Sequence, residues 1–452
     1  MFEKVLIANR GEIAVRIIRA CRDLGIKTAA VCSEADRQGL HLAMADEWVC
    51  LPGFKPADTY LNMEKILQAA RDTGSQAVHP GYGYLAENEK FAARCAEEGL
   101  FFIGPRPQSI HLAGNKLAAR EKAAAAGVPV IPGSSRGVAS REEALAIAGE
   151  IGYPVIIKAS AGGGGRGMRI CFDRGELKEE FSIARAEAGA AFGDDTLYIE
   201  KYLQNPRHIE FQILGDKSGR VVHLGERECS VQRRYQKLLE ESPSPALDDA
   251  LREKMGRAAL KVAGAVDYFN AGTVEFILDE KKNFYFMEIN SRIQVEHPVT
   301  EMVTGIDLVK EQIRLSMGGS LAYDYSSAPK NGWAIECRIN AEDPENSFLP
   351  SPGTIECYRP PGGYGVRLDT HVYQGYQIPP YYDSLLAKLI ACGPDRKSAI
   401  RIMSRALREF VIEPVRTTIP LHRKILESRL FEEGNFDTGF IKMFIPEEED
   451  ED

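Results

Sequence analysis

The chain has 452 residues, of which 44% are apolar and 27% charged, a composition typical of a soluble folded protein with about two to four domains. The formal net charge is −9, and the last six residues, 447–452, are all acidic, so the rest of the chain is nearly neutral. A nearly neutral chain without a Lys/Arg-rich stripe is not expected to bind nucleic acid, because such binding depends on cations that neutralise phosphates.

The first predicted element is the apolar run at 4–8, which is followed by a helix-period pattern. Strand-like runs and helical stretches then alternate as far as residue 103, which predicts a parallel α/β sheet with crossover helices. Loops after two of these strands, at 9–11 and 79–83, lie where open α/β sheets bind ligands. Because the pattern GxGxxG is missing, we do not expect a dinucleotide site.

A second region begins near Asn115 with a helix, a strand, a glycine-rich loop, another strand and a long helix. Residues 208–300 contain several strand-like runs and one helix, which predicts an antiparallel sheet with polar residues on one face. A third region, rich in Pro and Gly clusters, follows a Tyr/Ser/Pro-rich connector. The predicted boundaries are 1–113, 114–320, 330–446 and an acidic, solvated tail at 447–452.

The glycine-rich loop follows a strand that ends in Lys158 and reads KASAGGGGRG. Glycines allow backbone N–H groups to approach phosphate oxygens closely. The loop differs from a P-loop, because its lysine precedes the glycines and a strand follows where a P-loop begins a helix. The pattern predicts a mobile loop that covers phosphates, with a flexible surface turn as the alternative.

Residues 272–290 predict a hairpin whose loop is centred between Lys281 and Lys282, which places Glu275 opposite Glu288. Two carboxylates at that separation repel each other unless a cation neutralises them. Asn290 shares the face of Glu288 by the period of two, and such an all-oxygen set suits Mg²⁺ that bridges nucleotide phosphates. The alternative is a solvated polar face of the sheet.

The segment after this hairpin, 291–296, carries polar residues at every second position. If the strand remains extended, Arg292, Gln294 and Glu296 continue along the face of Glu288. A cation, an amide and a carboxylate in succession are suited to hold and deprotonate a small oxyanion.

The segment 225–241 groups basic residues in one loop-like stretch and predicts either an anion site or a solvated surface. Its Cys229 has no recognisable base beside it, so we interpret it as a small buried residue rather than a nucleophile. His208 and His297 do not have the spacing of a metal-ligand pair. The basic residues of the segment are Arg227, Arg233, Arg234 and Lys237.

The nine cysteines are widely spaced and form no CxxC pair, which predicts reduced thiols in a cytoplasmic protein. The chain opens directly into a strand-like run and has no long apolar stretch, so we expect neither a signal peptide nor membrane association.

Seven blocks of the sequence, in order, resemble the motifs of biotin carboxylases, which are ATP-grasp enzymes. The blocks are IANRGEIA, HPGYGYLAEN, PVIIKASAGGGGRGM, YIEKYLQNPRHIEFQ, MEINSRIQVEHPVTE, ECRINAEDP and PPYYDSLLAKL. The resemblance runs from about residue 2 to 445. It implies an α/β ATP-grasp fold with an N-terminal parallel α/β domain, a mobile lid subdomain at about 130–203 and a C-terminal α+β domain.

The resemblance also implies roles for individual residues. Those implied to bind ATP are Lys116, Lys158, Gly164, Gly165, Glu200, Lys201, Tyr202, Leu203, His208, Tyr235, Glu275 and Glu288. Those implied to bind Mg²⁺ or Mn²⁺ are Glu275, Glu288 and Asn290. Those implied to bind bicarbonate are Lys237, Arg292, Gln294 and the backbone of Val295. Glu296 resembles the general base that deprotonates bicarbonate, and Arg338 the arginine that stabilises the biotin enolate.

The implied reaction is carboxylation of biotin on a separate carrier protein, with ATP and bicarbonate as substrates and carboxyphosphate as intermediate. The chain lacks a Met-Lys-Met biotinylation motif, so the carrier and the carboxyltransferase are expected on other polypeptides, and the family implies a homodimer. Two departures are Tyr235, where many family members have histidine, and Ala161, where they have glycine.

Three alternatives remain open from the sequence. The expected parent enzyme is acetyl-CoA carboxylase, but a pyruvate, 2-oxoglutarate or other acyl-CoA carboxylase could use the same polypeptide. Another ATP-grasp ligase, such as a carbamoyl-phosphate-forming one, would share Lys158, Glu275 and Glu288, although QVEHPVTE and ECRINAEDP disfavour it. A catalytically silent nucleotide-binding subunit is disfavoured by the intact set of charged residues.

Overall fold

The computed structural model describes residues 2–160, 168–321 and 332–445. The strands before residue 110 are β1 Lys4–Ile7, β2 Lys27–Ser33, β3 Glu47–Leu51, β4 Ala77–His79 and β5 Phe101–Phe102. The helices as far as residue 125 are α1 Gly11–Asp23, α2 Leu40–Met44, α3 Met63–Asp72, α4 Glu89–Glu97, α5 Pro107–Gly114 and α6 Lys116–Ala125.

The first sheet is parallel and has the strand order β3-β2-β1-β4-β5, which confirms the predicted alternation of strands and helices. The order reverses beside β1, so the loops after β1 and β4 meet at one edge of the sheet. Asn9 donates from its amide to the carbonyl oxygens of Pro80 at 2.6 Å and Tyr82 at 2.8 Å. This loop pair lies next to the functional site described below.

The second sheet is small and antiparallel. It is built from α7 Arg141–Ile151, β6 Val155–Ala159, β7 Arg169–Cys171, α8 Arg174–Phe192 and β8 Leu197–Lys201, with β6 in the centre. Val155 and Ile157 pack against Leu177 and Phe181 of α8. Because side chains alternate along a strand, Lys158 lies on the opposite face, away from this apolar core.

The third and largest sheet has eight antiparallel strands in the order β13-β12-β9-β10-β11-β14-β21-β19. Its first part comprises β9 Arg207–Gly215, β10 Val221–Arg233, β11 Gln236–Ser242, α9 Asp249–Ala265, β12 Asn270–Leu278, β13 Phe284–Asn290, α10 His297–Thr304 and α11 Leu308–Ser316. In β9, Ile209 and Phe211 belong to the apolar core, whereas His208, Glu210 and Gln212 alternate with them on the other face. The predicted polar face is therefore present, but it is buried.

The same sheet continues into the C-terminal part of the chain, where β11 pairs with β14 and β14 with β21. The strands here are β14 Trp333–Asn340, β15 Glu342–Asp343, β16 Leu349–Pro350, β17 Gly353–Thr354, β18 Cys357–Arg359, β19 Val366–Thr370, β20 Gln377–Ile378, β21 Leu385–Gly393 and β22 Val411–Glu413. The helices are α12 Arg396–Glu409, α13 Ile419–Leu426 and α14 Arg429–Glu432. Within the described ranges, none of the helices is both long and apolar enough to cross a membrane.

The hairpin of β12 and β13 differs from its prediction near the turn. The pairs next to the turn place its centre on Lys281 rather than after it. A register shift then leaves Met287 as an extra residue in β13, which is a β-bulge. Beyond the bulge, Glu275 lies directly opposite Glu288, as the sequence predicted.

The interpretation of 225–241 as a loop is wrong, because β10 and β11 form a tight hairpin there. Arg233 pairs with Gln236, and the turn consists of Arg234 and Tyr235. Both turn residues have positive φ, +46° and +65°, as two-residue hairpin turns require. The alternation of polar and apolar residues is weak because both faces of these strands are buried and charged side chains pair inside.

The expectation that the strand remains extended through 291–296 is also wrong. β13 ends at Asn290, the following residues turn, and Glu296 is the N-cap of α10. Pro298 lies in the first turn of that helix, where its missing N–H costs nothing. The turn nevertheless brings Glu296 back to the polar face of the sheet, as its contacts below show.

Candidate functional site

Glu275 lies at the centre of a buried group of polar side chains on the large sheet. Its Oε1 accepts hydrogen bonds from Lys237 at 3.1 Å, Asn290 at 2.9 Å and Gln294 at 2.9 Å. Nε2 of His208 lies 2.8 Å from its Oε2. Burial alone would raise the pKa of this carboxyl group, but Lys237 and His208 hold the pKa far below its usual value. Glu275 is therefore an ionised group that attracts cations.

Lys237 on β11 connects three buried carboxylates. Its Nζ lies 2.5 Å from Glu210, 2.7 Å from Glu296 and 3.1 Å from Glu275. Burial alone would lower the pKa of the amine, but these three carboxylates raise the pKa of Lys237 well above its usual value. Lys237 is thus a permanent positive charge in a dry part of the protein.

Glu296 lies between two cations. Its Oε1 accepts from Lys237, and its Oε2 accepts from Nη2 of Arg338 at 2.9 Å. Burial would raise its pKa, yet Lys237 and Arg338 hold the pKa of Glu296 well below its usual value. The Sγ atom of Cys229 lies 3.9 Å from Glu296, and burial raises the pKa of that thiol well above its usual value. Cys229 is therefore a neutral thiol, as the sequence interpretation expected.

Arg227 on β10 holds the buried carboxylate of Glu210 and the neighbouring polar side chains in place. Its side chain is fully buried, and its Nε donates to Oε1 of Glu210. The other nitrogens donate to Gln212 at 2.7 Å, Thr300 at 3.0 Å and Thr273 at 3.1 Å. The guanidinium joins four elements, so Glu210 has a partner on each side and remains aligned toward Lys237.

Besides Glu296, the turn at 291–296 contributes three more predicted residues: Arg292, Gln294 and Val295. Nε of Arg292 lies 3.0 Å from Glu87, and its Nη1 donates to Gln294 at 2.5 Å. The carbonyl oxygen of Val295 accepts a 2.9 Å hydrogen bond from the buried Lys388. The turn is therefore attached to the N-terminal part of the chain and to β21, which fixes its shape.

Predicted phosphate-binding residues lie at the more open end of the site. Nζ of Lys116 is 3.3 Å from Glu288, whose side chain is 27% exposed, whereas that of Glu275 is 4% exposed. Lys158 of the small sheet and Arg120 of α6 bind the same carboxylate, that of Glu200, at 2.7 and 3.2 Å. Each of the two lysines is thus paired with one carboxylate, Lys116 with Glu288 of the large sheet and Lys158 with Glu200 of the small sheet.

The remaining predicted nucleotide-binding residues lie around the end of β8 and the β10–β11 turn. Lys201 donates to two backbone carbonyl oxygens at 2.7 and 3.2 Å. Tyr202 and Leu203 follow β8 directly, and the ring of Tyr235 is about half exposed at the hairpin turn. Two predicted positions lie outside the described residues: Gly164 and Gly165.

The oxygen-bearing residues fit a hard divalent cation. Glu275 and Glu288 are opposed in one ladder, and Asn290 is two residues beyond Glu288 on the same strand. In this structure N–H donors surround these oxygens. Lys116 pairs with Glu288 and Lys237 with Glu275, so two positive charges already lie against the two carboxylates. Carboxylate and amide oxygens are ligands that Mg²⁺ and Mn²⁺ prefer.

The sequence interpretation missed several residues that hold the site together. Glu210 offered a signal, since it alternates with His208 and Gln212 as a polar residue in an otherwise apolar strand. The others had no local signal, because their partners are distant in sequence. The missed residues are Glu87, Arg120, Glu210, Glu240 and Lys388.

Three family models match the chain. They are "Biotin carboxylase, N-terminal domain" at residues 1–110, "Carbamoyl-phosphate synthase L chain, ATP binding domain" at 115–323 and "Biotin carboxylase C-terminal domain" at 336–443. The chain is 57% identical over 441 residues to a biotin carboxylase of Nostoc sp., covering 98% of this chain and 99% of that relative. It is 52% identical over 441 residues to a pyruvate carboxylase subunit of Methanothermobacter thermautotrophicus, covering 98% and 90%.

Among solved structures, the biotin carboxylase domain dimer of Hydrogenobacter thermophilus 2-oxoglutarate carboxylase, in complex with MgADP, ADP and bicarbonate, is 53% identical to this chain. The two superpose with a TM-score of 0.95 over 98% of each chain. The predicted ATP-grasp fold is thereby confirmed. Since the family models and these relatives together cover nearly its whole length, the chain belongs to the biotin carboxylase family of ATP-dependent ligases.

Proposed function

We propose that this chain uses ATP, Mg²⁺ and bicarbonate to carboxylate biotin carried on a separate carrier protein. The observation that carries the proposal is the position of Glu296 between Lys237 and Arg338, at 2.7 and 2.9 Å, one turn beyond the strand with Glu288 and Asn290. An ionised carboxylate between two fixed cations, next to a pair of opposed carboxylates, suits a site that joins an anion to a metal-bound phosphate.

The nucleotide is proposed to bind between the small and large sheets. Magnesium bound with ATP neutralises charge on the phosphates, and Glu275, Glu288 and Asn290 would hold it. The residues proposed to bind ATP are Lys116, Lys158, Gly164, Gly165, Glu200, Lys201, Tyr202, Leu203, His208, Tyr235, Glu275 and Glu288. Lys116 and Lys158 leave their carboxylate partners to bind phosphate oxygens, and the region 130–203 acts as the lid over the nucleotide.

Bicarbonate is proposed to bind beside Lys237, Arg292, Gln294 and the backbone N–H of Val295. Glu296 removes its proton, and the resulting oxygen anion attacks the γ-phosphorus of ATP while ADP leaves. The cations beside Glu296 lower its pKa and so make it a weak base. The same cations also lower the pKa of the bound bicarbonate, and this second effect makes the proton transfer possible. Bicarbonate must displace Glu296 from part of its contact with Lys237.

The carboxyphosphate formed in this step then breaks down to CO₂ and phosphate. Phosphate takes the proton from N1′ of biotin, and the biotin enolate attacks CO₂ to form carboxybiotin. Arg338 supplies a fixed positive charge where the enolate develops negative charge. The role is supported by the contact of its guanidinium with Glu296 through Nη2 and by a side chain that is 17% exposed.

The parent enzyme is proposed to be acetyl-CoA carboxylase, with a biotin carboxyl carrier protein and a carboxyltransferase as partners and a homodimer as the working state. The named relatives serve different acceptors: one is a subunit of a pyruvate carboxylase and another belongs to a 2-oxoglutarate carboxylase. The acceptor is chosen by the carboxyltransferase, so reconstitution of the purified chain with carrier and carboxyltransferase from its own source, supplied with each acceptor in turn, identifies the parent enzyme.

The proposal is tested by ATP hydrolysis of the purified chain with Mg²⁺ and bicarbonate, with and without free biotin, while carboxybiotin is measured. Hydrolysis that requires bicarbonate and rises with biotin, together with carboxybiotin, supports it. Hydrolysis that requires an amine or amino acid instead would assign the chain to another reaction of ATP-grasp ligases. Absence of turnover with both free biotin and a biotinylated carrier would indicate a silent nucleotide-binding subunit.

A further inference from the structure

Two buried glutamates face each other beside Arg338. Glu240 on β11 is directly opposite Glu336 on β14, and both are 0% exposed. Residues in direct opposition have Cβ atoms about 4.5–5.5 Å apart. Oε1 of Glu240 accepts from Nε of Arg338 at 2.6 Å. The other three carboxylate oxygens, Oε2 of Glu240 and both of Glu336, have no hydrogen-bond partner in the part of the chain that the structure describes.

The nearby cations do not neutralise both carboxylates. Arg338 is shared between Glu240 and Glu296, at 2.6 and 2.9 Å. Lys388, on the neighbouring strand, contacts Glu12 at 3.1 Å and a backbone carbonyl oxygen at 2.9 Å. Glu336 forms no ion pair among the described residues. A second negative charge in this dry position would be very costly without a partner.

A single proton on the pair would provide a hydrogen bond for the unpartnered oxygens and would remove the second negative charge. If one carboxyl group is protonated, its O–H donates to the other group, which satisfies two of the orphaned oxygens and leaves one negative charge. Burial raises the pKa of Glu240 to about 7 and that of Glu336 well above its usual value, although Arg338 and Lys388 act in the opposite direction. The charged groups that face the pair are Arg338, Lys388, Lys237 and Glu296.

We propose that Glu240 and Glu336 share a single proton, and that this singly charged pair is the positioning group for Arg338. The inference deepens the proposed function, since it assigns to the pair a role in the biotin half of the reaction. Nε and Nη2 of Arg338 lie against Glu240, and Nη2 also donates to Glu296, while no described residue accepts from Nη1. The pair thus fixes the plane of the guanidinium and leaves one edge for the substrate.

A Glu240–Glu336 pair with one negative charge is the state that suits the positioning of Arg338. Two negative charges on the pair would hold Arg338 against the sheet and cancel the positive charge offered to the enolate. A fully neutral pair would leave Glu296 as the only anion on Arg338, and the guanidinium would move toward Glu296. With one shared proton, the guanidinium keeps its anionic partner on the pair. The net charge of the groups around it is then only slightly negative; these groups are Glu240, Glu336, Glu296 and Lys237.

The positioning role is tested with Glu240→Gln in the full-length chain, with Glu241→Gln as the matched control. Glu241 is the next residue of β11, equally buried, and binds Arg396 on the other face of the strand at 2.7 and 3.0 Å. We expect Glu240→Gln to lower kcat for carboxybiotin formation by about 10- to 100-fold, as displaced catalytic groups do. The KM values for ATP and bicarbonate, and bicarbonate-dependent ATP hydrolysis, should stay within about threefold of the parent chain.

Glu241→Gln should lower thermal stability and leave the ratio of carboxybiotin formed to ATP hydrolysed unchanged. If both variants lower that ratio equally, or neither does, the positioning role is wrong. Rescue by Glu240→Asp, which keeps the charge, should be partial. If the parent chain itself forms no carboxybiotin, the proposed function fails first.

The shared proton is tested independently of activity by infrared difference spectroscopy at pH 7. The C=O stretch of a protonated carboxylic acid should disappear in Glu336→Gln, because the introduced amide can donate to Oε2 of Glu240 in place of the proton. Glu336→Gln should also keep carboxybiotin formation within about threefold, because Arg338 retains its anionic partner. A spectrum in which Glu336→Gln removes only ionised carboxylate would overturn the shared proton.

Discussion

Lys237 and Glu296 form a buried ion pair of 2.7 Å that joins β11 to the start of α10. The pair closes the position that we propose for bicarbonate, so the substrate anion must separate the two charges when it binds. Their separation exposes the base and the cation together, next to the proposed metal ligands. Binding of bicarbonate and activation of bicarbonate are thereby one event.

Glu296→Gln should lower the rate of bicarbonate-dependent ATP hydrolysis by about 100-fold or more, while MgATP still binds. The amide can accept from Lys237 but cannot take a proton from bicarbonate. The measurement is steady-state ATP hydrolysis together with nucleotide affinity by calorimetry. Glu280→Gln, at the exposed tip of the β12–β13 hairpin, is the control and should behave like the parent chain. Parent-level hydrolysis by Glu296→Gln would exclude Glu296 as the base.

Glu288→Gln should instead weaken the engagement of metal and nucleotide. The substitution removes one of two opposed carboxylates and also the 3.3 Å partner of Lys116. We expect KM for MgATP to rise about tenfold or more and the requirement for free Mg²⁺ to increase. Titration of the hydrolysis rate with Mg²⁺ at fixed ATP measures this. An unchanged Mg²⁺ dependence would show that the metal is held elsewhere.

Arg227→Met should destabilise the protein by about 3–5 kcal/mol, because it leaves the buried Glu210 with only Lys237 as a partner. Urea unfolding of both chains measures the difference. The control is Arg257→Met, since Arg257 pairs with Glu253 on an exposed helix surface and should change the free energy of unfolding by less than about 1 kcal/mol. Equal effects of the two substitutions would contradict the role given to Arg227.

The contribution of Asp36 to stability should depend on pH. Asp36 is buried, binds Arg10 at 2.6 and 2.8 Å and accepts from Tyr60 at 2.6 Å. Burial would raise its pKa, but the Arg10 guanidinium holds the pKa of Asp36 below its usual value. Its stabilising effect is therefore complete above the pKa of the unfolded chain and is lost as the pH falls through the lower folded value.

Asp36→Asn should consequently lower the free energy of unfolding by about 3 kcal/mol at pH 7, with a gap to the parent chain that is constant above about pH 5 and narrows below about pH 4. Urea unfolding across this pH series measures the gap. A gap that widens on acidification would mean that the pKa of Asp36 is raised in the folded protein rather than lowered.

Periodicity and short-range hairpin geometry allowed the parallel α/β region, the antiparallel sheet and the Glu275–Glu288 opposition to be predicted, whereas the ATP-grasp fold was implied by the resemblance to biotin carboxylases. The bulge at Met287 left no trace in that periodicity, although it restores the predicted opposition after a turn that is centred differently. Partnerships across distant strands, such as Glu240 with Glu336, could not be predicted, because strand order is a tertiary property. Roles that rested on family resemblance alone, such as that of Arg338, had no local signal.

Strands β11 and β14 are neighbours in the eight-stranded sheet, but in the sequence β11 precedes residue 321 and β14 follows residue 332. A chain cut between these two residues would yield two fragments, each with a long bare strand edge. Such edges aggregate when alone, but these two are complementary in register. Co-expressed fragments should therefore reassemble into one enzyme, and recovery of carboxylation would report their association, so that this sheet can serve as a split reporter.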